Sequence, residues 1–204
     1  SGTTVYGDNA NGGGNDTLVL NGTSVYAEAG QGNDSFGAGL VTSATLYAGQ
    51  GNDTIALGCA TGSKIYMGQG DDLFTGAAGA FASNTISGGD GNDTIQFAAT
   101  SASSVVGGSG ADSISFTNAA STGGAALGTY FFGFGGGNDT INFANTGSAL
   151  VVAIDASFAG TGTFNTSGTL TLGSQTVTFS NIGGNTANVV TFVTVSSSSI
   201  TNLG

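Results

Sequence analysis

A repeat of about 19 residues, built on a glycine-aspartate motif, constrains this chain more than any other feature. Seven segments align on one aspartate each; two of them read AGQGNDTIAL (48–57) and GGDGNDTIQF (88–97). Successive aligned aspartates are 18, 19, 19, 21, 19 and 27 residues apart. Such a repeat predicts a solenoid, in which each copy forms one coil and stacks on the next. The aligned aspartates are Asp16, Asp34, Asp53, Asp72, Asp93, Asp112 and Asp139.

Around each aspartate, apolar residues alternate with small or polar ones, which predicts short strands with one inward face. Two positions after the aspartate stand Leu18, Phe36, Ile55, Phe74, Ile95, Ile114 and Ile141. Four positions after it stand Leu20, Ala38, Leu57, Gly76, Phe97, Phe116 and Phe143. Seven positions before it stand Leu46, Ile65, Ile86, Val105 and Phe132, and the first two copies fit only with an offset, at Val5 and Val25. Each repeat therefore supplies two strands, a glycine-aspartate turn between them and a second turn without a carboxylate.

These patterns predict an all-β fold, a right-handed parallel β-solenoid over residues 1–144. After Phe143 the motif stops, and residues 145–204 contain one acid, Asp155, and no base. Strand-like runs at 149–154, 169–172, 176–179 and 188–195, with a two-residue hairpin at Gly173-Ser174, predict a C-terminal β cap over residues 145–204.

The glycine-aspartate turns suit calcium. Glycine lets the chain reverse with its carbonyl oxygens aimed at one point, aspartate adds an anionic oxygen, and calcium takes six to eight such oxygens. Two stacked turns supply enough ligands, so seven turns give about six slots, whose charge would offset the net charge of -11. The metal-free chain is then expected to be loose or unfolded. The alternative is that the aspartates are only turn residues. The expected ligands are the seven aligned aspartates, the glycines Gly14, Gly32, Gly51, Gly70, Gly91, Gly110 and Gly137, and Asp90.

Residues 88–96, GGDGNDTIQ, match the nonapeptide G-G-x-G-x-D-x-U-x of the RTX family at every position, and 107–112 match its first six. The chain resembles that family over residues 5–143, including RTX S-layer and cell-surface proteins. The resemblance implies a β-roll, calcium in the turns, type I secretion from a Gram-negative bacterium, and an uncleaved secretion signal within 145–204. With the motif in alternate half-coils only, calcium should line one edge.

This one-edged, 19-residue pattern is similar to the ice-binding region of a large RTX adhesin. That region carries ranks of Thr and Asx residues along its turns. The Asn rank is mostly kept here, whereas Gln dominates the Thr rank. The residues at the Thr position are Gly13, Gln31, Gln50, Gln69, Asp90, Ser109 and Gly136.

Composition excludes several classes of function. The chain has no histidine, and Lys64 is its one basic residue. Nothing can therefore neutralise nucleic-acid phosphates or serve as the base of a nucleophilic site, and we expect no enzyme activity. No apolar run is long enough for a membrane helix. The single cysteine, Cys59, cannot form an internal disulfide; it is interpreted as a small buried group, with a reactive thiol as the alternative.

An outward column of Tyr6, Tyr26, Tyr47 and Tyr66 is also predicted, either as a contact surface or as ordinary cross-strand packing.

The leading functional hypothesis is a secreted, calcium-dependent structural protein of the cell surface. It would associate with itself end to end or laterally into an S-layer, sheath or filament, with cell-surface polysaccharide as a further partner. The alternatives are an adhesin or ice-binding module, and the calcium-folding secretion domain of a larger exported enzyme.

Overall fold

The structure is a computed structural model. It describes residues 2–8, 13–99, 103–116, 126–132, 136–143, 149–155, 163–164, 169–172, 174–180 and 189–195, and these contain strands and turns but no helix. The strands are β1 (Thr3–Tyr6), β2 (Thr17–Thr23), β3 (Val25–Gln31), β4 (Ser35–Thr42), β5 (Thr45–Gln50), β6 (Thr54–Thr61), β7 (Lys64–Gln69), β8 (Leu73–Ala82), β9 (Thr85–Asp90), β10 (Thr94–Ala99), β11 (Ser103–Ser109), β12 (Ser113–Phe116), β13 (Ala126–Phe132), β14 (Asn138–Phe143), β15 (Ala149–Asp155), β16 (Thr163–Phe164), β17 (Thr169–Leu172), β18 (Gln175–Ser180) and β19 (Val189–Val195).

The strands form two long sheets that share one core. The first sheet has the order β1-β3-β5-β7-β9-β11-β13-β15-β19. The second has the order β16-β17-β18-β14-β12-β10-β8-β6-β4-β2. Neighbouring strands are parallel, except that β17 is antiparallel to both β16 and β18. Successive strands of the repeat alternate between the sheets, so the predicted all-β parallel solenoid is confirmed.

The chain passes between the sheets at two kinds of turn. The turns that contain the aligned aspartates lead from the first sheet to the second, and we call this side the aspartate edge. The turns at Ser24, Ser43, Gly62 and Ser83 lead back, and we call this side the serine edge. The three serines have φ values of 51–56°, a region that non-glycine residues seldom adopt.

The two predicted rows that follow the aspartates form continuous ladders of the second sheet, and their inward direction is confirmed at the side chains that the structure describes, such as Phe36 and Leu57. Phe36 is opposite Leu18 and Ile55, and the row continues to Ile141. The second row runs in register from Leu20 to Phe143. Gly76 leaves space in this row, and nearby Phe81 is fully buried with its ring edge-on to Phe74 at 6.1 Å.

The inward row of the first sheet differs from the prediction at its ends. Leu46, Ile65, Ile86 and Val105 pair in register, but the partner of Val105 is Tyr130, whereas Phe132 pairs with Ile154. Counting seven residues back from Asp139 therefore does not reach the residue in register with Val105, because that copy has extra residues between its first strand and its aspartate; the inward direction of Phe132 stays a prediction. In the first copies Ala27, rather than Val25, is opposite Leu46, and Val5 is opposite Ala27.

Parallel stacking continues after the last aligned aspartate. All four predicted C-terminal strands are present, as β15, β17, β18 and β19. Three of them extend the solenoid, since β15 and β19 add to the first sheet and β18 adds to the second. The predicted hairpin is confirmed by the antiparallel pairing of Leu172 with Gln175, and among the described strands β17 alone pairs antiparallel, with β16 and β18. The division at residue 144 and the secretion signal stay predictions.

The tyrosine column is present, although it is not straight. Tyr47 and Tyr66 are opposite each other and stack at 4.8 Å with 10° between their planes. Tyr26 belongs to the next row, because Glu28 occupies the place opposite Tyr47. Its ring still packs at 6.1 Å from Tyr6 and 5.8 Å from Tyr47. Cys59 is half-buried on β6, opposite Leu40.

Candidate metal edge

Glycine shapes each aspartate turn through both its backbone angle and its missing side chain. Gly51 has φ 121° and Gly70 has φ 124°, values that L side chains seldom adopt. A Cβ at Gly51 would also overlap the carbonyl oxygen of Gly32, and one at Gly70 would overlap that of Gly51. The predicted glycines therefore form a stack in which each carbonyl oxygen lies against the next turn. The same overlap recurs at Gly32, Gly91, Gly110 and Gly137.

Gly14, at the first turn, is the exception among the predicted glycines. A Cβ there would meet nothing within 4 Å, and its φ lies outside the left-handed region. Its carbonyl oxygen nevertheless lies against Gly32 and so begins the stack.

The seven aligned aspartates form one column, in which Asp16 is half-buried and the other six are buried. Asp53 is 1% exposed, and its Oδ1 accepts a hydrogen bond of 2.7 Å from the backbone N–H of Asp34. From Asp34 onwards, each carboxylate thus binds the turn of the preceding coil. The six bonds are 2.7–3.1 Å long and run from the N–H groups of Asp16, Asp34, Asp53, Asp72, Asp93 and Asp112 to the next aspartate.

The second oxygen of six of these carboxylates has no hydrogen-bond partner although it is buried. Buried polar atoms nearly always have partners, and one without a partner costs about 1–3 kcal/mol or more when it is charged. Six such atoms in one column point to a missing positive ligand rather than to simple turn residues. They are Oδ2 of Asp16, Asp34, Asp53, Asp72, Asp93 and Asp112.

Burial changes the protonation of this column. Desolvation is the largest cause and raises the pKa of Asp53 to about 6 and those of Asp72, Asp93 and Asp112 to about 7. The hydrogen bond from the preceding aspartate's N–H lowers each pKa, and the neighbouring carboxylates raise it. The pKa of Asp34 is raised for the same reasons. Without a cation, the column therefore disfavours its own ionised form.

A second ladder runs along the outside of the same turns. Asn52 donates its N–H to Oδ1 of Asn33 at 2.8 Å, so this ladder points opposite to that of the aspartates. Asp71 takes the asparagine position in its turn, and its Oδ1 accepts from Asn92 N–H at 2.7 Å. The ladder reaches Ala111, whose N–H donates to Asn92 Oδ1.

Asp90, the eighth predicted carboxylate ligand, lies outside the buried column. It is exposed, in register with Gln69 and Ser109, and its Oδ1 accepts from the Ser109 hydroxyl at 2.7 Å. The structure thus brings together the seven aligned aspartates and separates Asp90 from them. Its role as a ligand stays a prediction.

The serine edge contains a neutral counterpart of the aspartate ladder, which the sequence analysis missed. Ala44 N–H donates to Ser63 Oγ at 3.1 Å, Ser63 N–H to Asn84 Oδ1 at 3.0 Å, and Asn84 N–H to Ser103 Oγ at 3.3 Å. Asn84 also donates its side-chain N–H to the carbonyl oxygen of Ala60. Buried polar residues one repeat apart were the available signal, but the varied lengths of these turns obscured it.

The aspartate edge fits a hard cation that takes part of its coordination from the backbone. Among the described residues, no group of three or more acidic, cysteine or histidine side chains converges closely enough to hold a metal ion. One orphaned carboxylate oxygen per turn, beside stacked carbonyl oxygens, is instead the mixed oxygen set that calcium accepts.

Comparison with protein families supports this assignment. The family model for the RTX calcium-binding nonapeptide repeat, in four copies, matches residues 45–58 and 81–96. These ranges contain the turns of Asp53 and Asp93. Curated proteins and solved structures gave no match. Within the described part of the chain, no helix has the length and apolar character needed to cross a membrane.

Proposed function

Since this chain is an RTX-type calcium-binding β-roll protein, we propose that it is a secreted structural protein of the cell surface. In this proposal, calcium folds the solenoid outside the cell, and folded copies associate into an S-layer, sheath or filament. The cell would be of the Gram-negative type, with export by type I secretion. The proposal assigns no catalytic role to the chain.

The column of orphaned Asp Oδ2 atoms carries the proposal. Six carboxylate oxygens are buried without partners along one edge of a stacked fold, so the ionised column repels itself. Extracellular calcium modules bind with dissociation constants of about 10⁻⁴–10⁻³ M, close to external calcium concentrations. Without the ion such a chain is loose and weakly stable during export, and calcium completes its folding on arrival.

Surface charge supports self-association. Of the 12 acids, seven lie in the aspartate column, six of them buried, which leaves five elsewhere beside Lys64, the one basic residue. Calcium in about six slots would bring the net charge of -11 close to zero, and proteins near zero net charge tend to associate. Exposed apolar residues add contact area, with Tyr6 63% and Val19 75% exposed.

A second candidate function is an adhesin or ice-binding module. The outer positions of the aspartate turns favour it, because Gln31, Gln50 and Gln69 lie exposed in register with Asp90 and Ser109. Beside them runs the regular asparagine ladder. Cell-surface polysaccharide is a partner that such polar ranks would suit.

Electron microscopy and light scattering of the purified chain test the proposal. With a few millimolar Ca²⁺ we expect ordered sheets or filaments, which disperse when excess chelator is added. Mg²⁺ at the same concentration is the matched ion control and should not support assembly, since it demands a smaller, more regular site. Folded particles that stay dispersed in calcium at every protein concentration would overturn self-assembly. Ice shaping by those particles would then favour the second candidate.

A further inference from the structure

The aspartate turns are not equivalent, because the residue that faces the orphaned oxygen differs between coils. We call this place the inner position. It lies where the chain leaves the first sheet and enters the aspartate turn. In each coil it directly precedes a glycine, and these glycines are in register with one another: Gly30, Gly49, Gly68, Gly89 and Gly108. The inner positions are therefore Ala29, Ala48, Met67, Gly88 and Gly107. In the first coil the position is Gly7, since Asp8 N–H donates to the Ala29 carbonyl and so places Gly7 beside Ala29.

At the glycine positions, oxygen atoms converge on the point where a side chain would begin. A Cβ built on Gly7 would lie 2.7 Å from Asp16 Oδ2 and 2.8 Å from the carbonyl oxygen of Ala29. A Cβ built on Gly88 would overlap both Asp93 Oδ2 and the carbonyl oxygen of Gly107. Each point thus joins a carboxylate oxygen of one turn with a carbonyl oxygen of the next coil.

Gly107 shares the carboxylate contact, since a Cβ there would overlap Asp112 Oδ2. In these three coils the carboxylate faces a place that no side chain occupies. The missing side chain lets the carboxylate oxygen and the neighbouring backbone approach each other closely, and a cation with oxygen ligands at 2.3–2.6 Å needs oxygens that converge in this way.

In the remaining coils a side chain already stands there. Ala29, Ala48 and Met67 are fully buried, and because they hold the same register position, each has a Cβ where the glycines have none. Met67 adds a long thioether side chain, which is a poor ligand for a hard cation. The orphaned oxygens of Asp34, Asp53 and Asp72 therefore share their turns with apolar atoms.

We propose that calcium binds tightly at the turns whose inner position is glycine, Gly7, Gly88 and Gly107, and weakly at those with Ala29, Ala48 or Met67. The Met67 turn is the weakest because its side chain is largest. Calcium then loads the edge in two classes rather than as six equal slots. This inference rests on calcium binding by the aspartate edge, but not on self-assembly.

Equilibrium dialysis of the dispersed chain, with bound calcium counted at stepped free calcium, tests the two classes. Met67→Gly should move about one ion from the weak class to the tight class. Met67→Leu keeps the position filled at similar volume and should leave the binding curve unchanged. Gly88→Met should remove about one ion from the tight class. Far-UV circular dichroism in saturating calcium verifies that each variant is folded.

One class of equal ions in the parent chain, with Met67→Gly indistinguishable from Met67→Leu, would overturn the inference. The comparison of Met67→Gly with Met67→Leu tests the inference even if Gly88→Met does not fold. Two classes of calcium site in a chain that never assembles would contradict the proposed structural function but support the inference.

Discussion

At the scale of single residues, most of the aligned aspartates use their two carboxylate oxygens differently. In Asp34, Asp53, Asp72, Asp93 and Asp112, Oδ1 accepts a hydrogen bond from the backbone of the preceding coil, whereas Oδ2 is buried without a partner. The first oxygen is structural and an amide could replace it. The second needs a cation, which an amide cannot hold as well. Asparagine substitutions separate these roles.

Asp53→Asn is expected to stabilise the metal-free chain and to weaken its response to calcium. The asparagine Oδ1 still accepts the Asp34 N–H, while the buried negative charge is removed. We expect a gain of about 1–3 kcal/mol in the free energy of unfolding in chelator at neutral pH. Chemical unfolding with and without calcium measures both effects.

Asp71→Asn is the matched control for this change. Asp71 directly precedes the column residue Asp72 but is exposed, and asparagine is the residue already found at its position in neighbouring turns. Asp71→Asn should change the free energy of unfolding only slightly, both in chelator and in calcium. Equal effects of Asp53→Asn and Asp71→Asn would contradict separate roles for the two oxygens.

The glycine stack gives a second prediction at this scale. Gly51→Ala places a Cβ against the Gly32 carbonyl at φ 121° and should cost about 1–3 kcal/mol in calcium. Gly14→Ala makes the same change at the same motif position, where the space is open, and should cost much less. Thermal unfolding of the two variants side by side measures the difference.

At the scale of elements, both kinds of turn bind the backbone N–H of the preceding coil through a side-chain oxygen, but the two edges use different side chains. The aspartate edge uses charged side chains, and the serine edge uses Ser63, Asn84 and Ser103 in the same direction. A neutral ladder needs no counter-ion. This contrast gives a physical reason to expect calcium along the aspartate edge and none along the serine edge.

Asn84→Ala should therefore destabilise the solenoid equally with and without calcium. The change removes the acceptor for Ser63 N–H and the donor to the Ala60 carbonyl, both buried, at a cost of about 2–4 kcal/mol. Asn84→Ser restores an acceptor of the kind found at Ser63 and should recover part of the loss. A loss confined to calcium-containing buffer would show that the edges are not independent.

Much of this element-level structure could be predicted from the sequence, because the period of 19 and the alternation after each aspartate fix the register of the second sheet. The predicted register of the first sheet was wrong at Phe132. Extra residues there separate the strand from its aspartate, so the number of residues back from the aspartate no longer identifies the position in the coil. The neutral ladder and the inner position were missed for another reason. Both depend on which atoms of neighbouring coils face each other. The spacing of residues within one repeat contains no information about such contacts between coils.

At the scale of the whole molecule, one column of buried carboxylates couples folding to both calcium and protons. In the metal-free fold, burial holds the pKa values of Asp53, Asp72, Asp93 and Asp112 near 6–7, above the ordinary value of 3.8. Groups with a raised folded pKa contribute stability below their unfolded pKa and lose it as pH rises through the folded value. The metal-free solenoid should therefore weaken between about pH 4 and pH 8. Calcium binds the ionised carboxylates, so the calcium-loaded solenoid should instead gain stability over that range.

The most direct test of the calcium column is the stability of the chain against pH, measured by circular dichroism during chemical unfolding, once in chelator and once in saturating calcium. The account predicts opposite slopes, falling with pH in chelator and rising with pH in calcium, and the two curves should separate most above about pH 7. Curves that coincide at every pH would mean that the aspartates are turn residues without an ion, and would contradict the account.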